Sequence, residues 1–283
     1  YTSNKINNFL LYIVIFILCL VFVYKRMFRK ITVSLAFFSM ILAYNHHPFP
    51  SSPFDPYHGD RGIKPYQEVI NYAVAKGAMV FWNHIEAKTE KGEIDWAKIN
   101  TNPHPEDIVL SENYTGFQAV YDEPVHAADP GKEWDHVLTQ FIQGKRKTPV
   151  WGYGGNDFHC EGQDNHSLGG SRTVVFAAEK NSKAVLEAMS RGRMYAVRQS
   201  SEDNRLALSH FTVSDGAKEA MMGEELATLK TPEIKVNIRS TKSEEKTVKV
   251  SIIRNGELIR EEKGILPYEF NWQDTDVVRK GRA

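Results

Sequence analysis

The chain changes character abruptly at residue 45, and that change limits what it can fold into. Phe9 to Tyr24 (FLLYIVIFILCLVFVY) is sixteen residues without a charge. Lys25, Arg26, Arg29 and Lys30 follow, and then a second apolar run, Ile31 to Tyr44 (ITVSLAFFSMILAY). A membrane-spanning helix needs about 20 apolar residues, with a lower limit near ~17. The first run therefore reads as a short transmembrane span, with the basic cluster on its cytoplasmic side. A signal peptide is the competing reading: Met27-Phe28-Arg29-Lys30 supplies a basic start, the second run an apolar core, and Ala43 a small residue near a cleavage point. On that reading residues 1–26, which begin with Tyr1 rather than Met, lie upstream of the true start. Both readings are preferred to a buried core helix. Both place the remainder outside the cytoplasm, periplasmic or secreted, or anchored to the membrane by the N-terminal segment.

From Asn45 onward the texture is that of a soluble protein. Over the whole chain 42% of residues are hydrophobic and 25% charged, which fits a globular protein and not a disordered one. Thirty-five basic residues balance thirty-five acidic ones, so no nucleic-acid partner is expected, because phosphate binding normally draws on a basic surplus. The two cysteines, Cys19 and Cys160, lie in unlike segments and suggest no disulfide framework.

Residues 45–62 (NHHPFPSSPFDPYHGDRG) read as loop. Lys64 to Lys76 then reads as a helix, with Val69, Ile70, Ala73 and Val74 on one face and Gly77 as its stop. Ala78 to Trp82 follows as a buried strand ending at Asn83-His84. The order repeats. Trp134, Val137, Leu138, Phe141 and Ile142 define a helical face closed by Gly144, and Thr148 to Gly154 is the next strand. Ser182 can cap a helix that stops at Gly192, before a strand over Met194 to Val197. Alternating helix and strand implies an α/β domain with a parallel sheet, open or barrel-like. Past about residue 200, strands are expected over Leu206–Val213, Ile234–Ile238, Val248–Ile253 and Leu258–Glu261, with Asn255-Gly256 as a hairpin turn. These describe a small antiparallel β-sandwich or half of one, and a further strand is expected where the chain stops at Arg279–Ala283. The expected organisation is thus an N-terminal hydrophobic segment over 1–44, an α/β domain over 45–200 and a β-sandwich-like domain over 201–283.

The sharpest local feature is Gly154-Gly155-Asn156-Asp157-Phe158-His159. On an extended backbone Asp157 and His159 point the same way, and a carboxylate beside an imidazole suits a divalent metal. Both follow the C-terminal end of an expected strand, where ligands gather in barrels and open α/β sheets. His84 occupies the equivalent place after the earlier strand, so the two strand ends would converge on one rim. His46 and His47, before Pro48, offer further imidazoles, with an exposed loop pair as an equal alternative. His58, His104, His126, His136, His166 and His210 have no context that raises them. Glu86, Asp122 and Glu123 are possible carboxylate ligands or supports, although exposed polar residues are the default. Ser171-Arg172, Arg191 and Arg193 offer anion contacts but fit structural or surface roles better. A metal at such a rim would lower the pKa of a bound water to near ~7 and hold an anionic substrate oxygen. Neither a nucleophile elbow nor a phosphate-cradling P-loop is present.

Three segments, taken together, resemble the PHP (polymerase and histidinol phosphatase) family. KPYQEVINYAVAKGAMVFWNH is similar to the family's helix and strand that end in a ligand histidine, GGNDFH to its late Asp-x-His motif, and NSKAVLEAMSRGRMYAV to the helix and Gly-Arg turn that follow. The later strands, with MMGEEL and VKVSIIRNGELI, resemble the C-terminal β-domain of carbaryl-hydrolase-like members. The resemblance covers roughly residues 45–275. It implies a distorted (β/α)7 barrel holding up to three divalent metals, zinc, manganese or iron, and hydrolysis of phosphoesters, carbamates or related small-molecule esters. It implies His84, Asp157 and His159 as metal ligands, His46 or His47 as a further one, and Asp157 and His159 as the catalytic pair. The family's opening His-x-His and its Thr-Asp-His-like segment are not found. Ile85 stands where Pro is common, and Gln118 in TGFQAVYD where an acidic residue is frequent. The expectation is an incomplete barrel with at most one metal and impaired activity. A non-catalytic, membrane-associated binding protein on a degenerate barrel is the alternative. A mononuclear zinc hydrolase of another fold, with a third ligand from His46, His47 or a carboxylate, comes after both.

Overall fold

The computed structural model describes residues 2–46, 61–87, 89–94, 97–121, 123–158, 160, 168–198, 206–241 and 245–275. Two compact units are present, residues 1–65 and residues 66–283.

The first unit holds two helices, α1 (Thr2–Tyr24) and α2 (Arg29–His46). They are joined by a tight turn in which Met27 N–H donates to Phe22 C=O and Arg26 N–H to Val23 C=O, both at 3.1 Å. Arg26 takes the left-handed conformation there (φ 59°). This is the paired hydrogen bonding that ends a helix by satisfying its last carbonyls. Helix α2 runs past Tyr44 to His46, so the expected loop starts later than Asn45. Within α1, Asn7–Tyr24 is the one stretch among the described residues long and apolar enough to cross a membrane.

The second unit opens with α3 (Lys64–Ala75), stopped by Gly77 at φ 79° as its sequence requires. Its apolar face is narrower than expected. Ile70 is buried, but Val69 is 65% exposed and Val74 is exposed too, because they flank the single line of contact. The chain continues through β1 (Phe81–Trp82), β2 (Thr89–Ile94), β3 (Ala97–Thr101), α4 (Asp107–Leu110), β4 (Gly116–Val120), α5 (Glu133–Ile142), β5 (Trp151–Gly154), β6 (Ser171–Val175), α6 (Ser182–Ser190) and β7 (Met194–Arg198).

Strands β1, β4 and β5 form a parallel sheet with β4 in the centre. Parallel pairing is what the helix–strand alternation called for, yet the sheet has three strands and closes no barrel among the described residues. Its core gathers Ile70, Ile85, Ile108, Tyr114, Phe117, Val137 and Val150. Beyond β5 the ladder gives way to one side chain. The Thr173 hydroxyl accepts from Gly154 N–H at 3.0 Å and donates to Gly154 C=O at 2.8 Å. A Cβ on Gly154 would stand 2.4 Å from Arg172 O, so only glycine allows this approach. The expected strand at Met194 exists, but it pairs antiparallel with β6. Helix α6 is capped by Asn181, whose side chain accepts from Ala184 N–H at 2.9 Å, and not by Ser182.

The remaining strands are β8 (Leu206–Ser214), β9 (Glu219–Met221), β10 (Glu233–Ser240), β11 (Thr247–Arg254), β12 (Glu257–Ile265) and β13 (Tyr268–Gln273). They form a four-stranded antiparallel sheet, β13-β10-β8-β9, and a hairpin, β11-β12. Asn255 and Gly256 both have positive φ, 53° and 79°, as a tight hairpin turn needs. Alternate residues of β10, Ile234 and Val236, meet Ile252 of the hairpin in one apolar cluster with Phe211, Phe270 and Trp272. Sheet and hairpin thus share a core. The expected strand at the chain's end, Arg279–Ala283, falls outside the described residues.

Candidate functional site

The C-terminal ends of the three parallel strands carry His84, Tyr121 and Asp157. In an open α/β sheet the carbonyl ends of parallel strands and the loops beyond them form the usual ligand crevice. His84 follows β1 by one short step and stands at φ 54°, a conformation a histidine adopts only at a cost. The fold holds it there from two sides. Its N–H donates to Gln118 Oε1 at 3.3 Å, and its C=O accepts from Ala87 N–H at 3.0 Å.

Gln118 is buried in the middle of β4, and its amide spans the rim. While Oε1 receives His84 N–H, Nε2 donates to Gly155 C=O at 3.0 Å. Gly155 N–H in turn donates to Val120 C=O at 3.2 Å. One buried side chain therefore ties the His84 loop to the loop that bears Asp157. The outcome is close approach: His84 Nε2 lies 3.9 Å from Asp157 Oδ2. Tyr121 packs edge-on against the His84 ring at 5.1 Å between centroids. The side chains of His84 and Asp157 are 33% and 50% exposed, so both face solvent from a supported base.

Beside them, Tyr153 O–H donates to Asn83 Oδ1 at 2.5 Å, and Tyr153 packs edge-on against Phe81 at 5.2 Å. Burial pushes its phenol up to about 12, so it remains a neutral donor throughout the ordinary pH range.

Two donors each about 2 Å from a tetrahedral ion stand about 3.4 Å apart; His84 Nε2 and Asp157 Oδ2 lie somewhat farther, at 3.9 Å. His159 and His47, the other expected ligands, lie outside the described residues, as do His58, Asp122 and His166. No cluster of three or more metal-capable side chains occurs among the described residues. His46 ends α2 in the first unit, its ring 5.3 Å from that of Tyr12. Glu86 is committed elsewhere: its two oxygens accept from His126 N–H and Ala127 N–H, each at 2.7 Å. Glu123 and His136 are exposed, as polar surface residues are by default. Arg193 pairs with Glu224 at 2.9 Å and Arg191 with Glu187 at 3.0 Å, which gives both the structural roles expected of them.

Sequence reasoning placed His84 and Asp157 on one rim but missed what supports them. Gln118 belongs to a strand that was not expected, and Tyr121 follows it directly. The apolar residues around Gln118 in TGFQAVYD were the available signal. Read as a strand, they carry Tyr121 to the same rim by the rule that selected His84. Comparison with family models, with curated proteins and with solved structures finds no match for this chain.

Proposed function

We propose that this chain is a metal-dependent hydrolase of the PHP type, extracytoplasmic, acting on phosphoesters or related small-molecule esters and carbamates. The observation that carries the proposal is the convergence of His84 and Asp157, 3.9 Å apart, at the C-terminal rim of a parallel sheet. The order of the three resembling segments supports it. In this reading the parallel strands belong to an incomplete barrel. His84 and Asp157, joined by His159, would hold a zinc, manganese or iron ion. Bound there, the metal supplies Lewis acidity and a water acidic enough to act near neutral pH. The chain's own residues do the rest. Gln118 fixes both ligand loops, Tyr121 limits the swing of the His84 ring, and Tyr153 presents Asn83. Asp157 and His159 are the residues proposed to manage the proton of the attacking water.

The second reading is a non-catalytic, membrane-associated binding protein on the same scaffold. The apolar helix Asn7–Tyr24, long enough to cross a membrane, supports the membrane association in it. Metal titration followed by turnover of bis(p-nitrophenyl) phosphate separates the two. The hydrolase reading expects metal uptake and metal-dependent release of nitrophenolate, both lost in Asp157→Ala. Metal uptake without turnover of any ester tested supports the binding protein, and neither uptake nor turnover contradicts the metal site itself.

A further inference from the structure

The first unit is packed inside out for a protein in water. The side chains that α2 buries are its small ones: Thr32, Ala36, Ser39 and Ala43, at spacings of four, three and four. Cys19 is buried on α1. The large apolar side chains point away from the seam. Ser39 is 3% exposed while its neighbour Phe38 is 62% exposed, and Leu10, Val14, Ile17, Leu18, Ile31 and Leu35 are exposed in the same way. Small residues at the contact and large ones outside are how helices pair in lipid, where burying leucine against leucine gains little. A contiguous apolar belt of this kind in water would drive aggregation.

The polar groups point independently to the same medium. Ser39 donates to Ala36 C=O at 2.9 Å, Ser34 to Lys30 C=O at 3.1 Å, and the Thr32 hydroxyl to Arg29 C=O at 3.2 Å. All three hydroxyls are thus satisfied within their own helix, as a hydrocarbon environment demands. No residue from Asn7 to Tyr24 or from Ile31 to Asn45 carries a formal charge, whereas Lys25, Arg26, Arg29 and Lys30 crowd the turn.

We infer that α1 and α2 cross a lipid bilayer together as a closed helical hairpin, with the basic turn at the cytoplasmic face and residues 47–283 on the other side. At 1.5 Å per residue, Asn7–Tyr24 spans about 27 Å, close to the hydrocarbon thickness. The apolar stretch of α2, residues 31–44, spans about 21 Å, too short to cross an unperturbed bilayer alone, so the hairpin requires the bilayer to thin around it. Arg29 and Lys30 reach the interface along their aliphatic stems, and exposed Tyr44 marks the opposite one. Anionic headgroups on the cytoplasmic leaflet complement the four basic side chains. In the hairpin Ala43 lies buried inside a helix that runs on to His46, so the hairpin and the signal-peptide reading predict different mature chains.

The test uses the full chain in spheroplasts of a bacterial host and a membrane-impermeant maleimide. Cys160 is exposed and serves as the reporter for residues beyond the hairpin. The turn is reported by Met27→Cys in a Cys160→Ser background. Expected are a carbonate-resistant membrane protein whose mass retains residues 7–46, labelling of Cys160 in sealed spheroplasts, and labelling of the Met27→Cys variant only after permeabilisation. Labelling of the turn in sealed spheroplasts would overturn the topology. A mature chain beginning after Ala43, or release by carbonate, would overturn the hairpin itself, even if the turn variant failed to insert.

Discussion

The two ends of the parallel sheet are built for different tasks. At the end where the strands start, Arg146 is only 6% exposed and its guanidinium Nη2 donates to Ser111 C=O at 2.8 Å, with Val109 C=O at 3.3 Å and Ile108 C=O at 3.4 Å. Those carbonyls end α4, so a buried cation caps a helix C-terminus. Tyr114 lies beneath the guanidinium, which sits 5.4 Å from its ring centroid, and donates to Ile108 C=O. At the end where the strands finish, the polar groups open to solvent. His84 adopts a costly backbone conformation, and the amide of Gln118 links the loops. One end spends its polar groups on stability, and the other sets an imidazole and a carboxylate 3.9 Å apart at a partly exposed rim.

Substitutions at the two ends should separate these tasks. The largest loss of stability is expected from Arg146→Leu, which strands several buried carbonyls and should cost about 3 kcal/mol in urea unfolding. Metal affinity of the remaining folded protein should hardly change. A cost below about 1 kcal/mol would show that the closed end is not held as described. His84→Ala and Asp157→Asn should do the reverse. Metal affinity by titration calorimetry should fall more than about 100-fold, and stability should move by less than about 1 kcal/mol. Gln118→Leu blurs the distinction, because its buried amide serves both purposes. It should cost about 1–2 kcal/mol and weaken metal binding about tenfold.

These contrasts were partly legible in the residues. Gly77, Gly144 and Gly192 ended their helices as expected, all at positive φ, because a missing Cβ leaves a clear mark in sequence. Asn255-Gly256 was readable for the same reason. The central strand β4 was not. Gln118 interrupts its apolar run, and its burial depends on partners 34 and 37 residues away along the chain. Helix α4 is four residues long, too short for a 3.6-residue period to emerge. At the site, His84 and Asp157 were found by their position after a strand, whereas Tyr121 had no neighbouring motif. The cap of α6 was misplaced by one residue because Asn181 and Ser182 are both good caps and only geometry chooses between them.

Alkaline titration sharpens the comparison further. Burial raises the phenols of Tyr114 and Tyr153, the latter to about 12. In the unfolded chain both ionise near ~10. Their folded values lie higher, so the stability they contribute is fully present below about pH 10 and is lost as pH rises through the folded values. Urea midpoints measured from pH 9 to 11 should therefore fall. Tyr153→Phe and Tyr114→Phe should each flatten part of that fall; an unchanged slope in both would remove the two phenols as its cause. The smallest effect is expected away from either end. Asn181→Ala should remove the α6 cap at a cost of about 1 kcal/mol by urea unfolding, with no change in metal affinity.

The most direct test of the metal site is elemental analysis of the purified full chain beside His84→Ala and Asp157→Ala. The expected result is about one equivalent of zinc, manganese or iron in the parent and a large loss in each variant, with both variants folded. Equal metal content in all three proteins, or none in the parent after loading with each ion, would contradict the assignment of His84 and Asp157 as ligands.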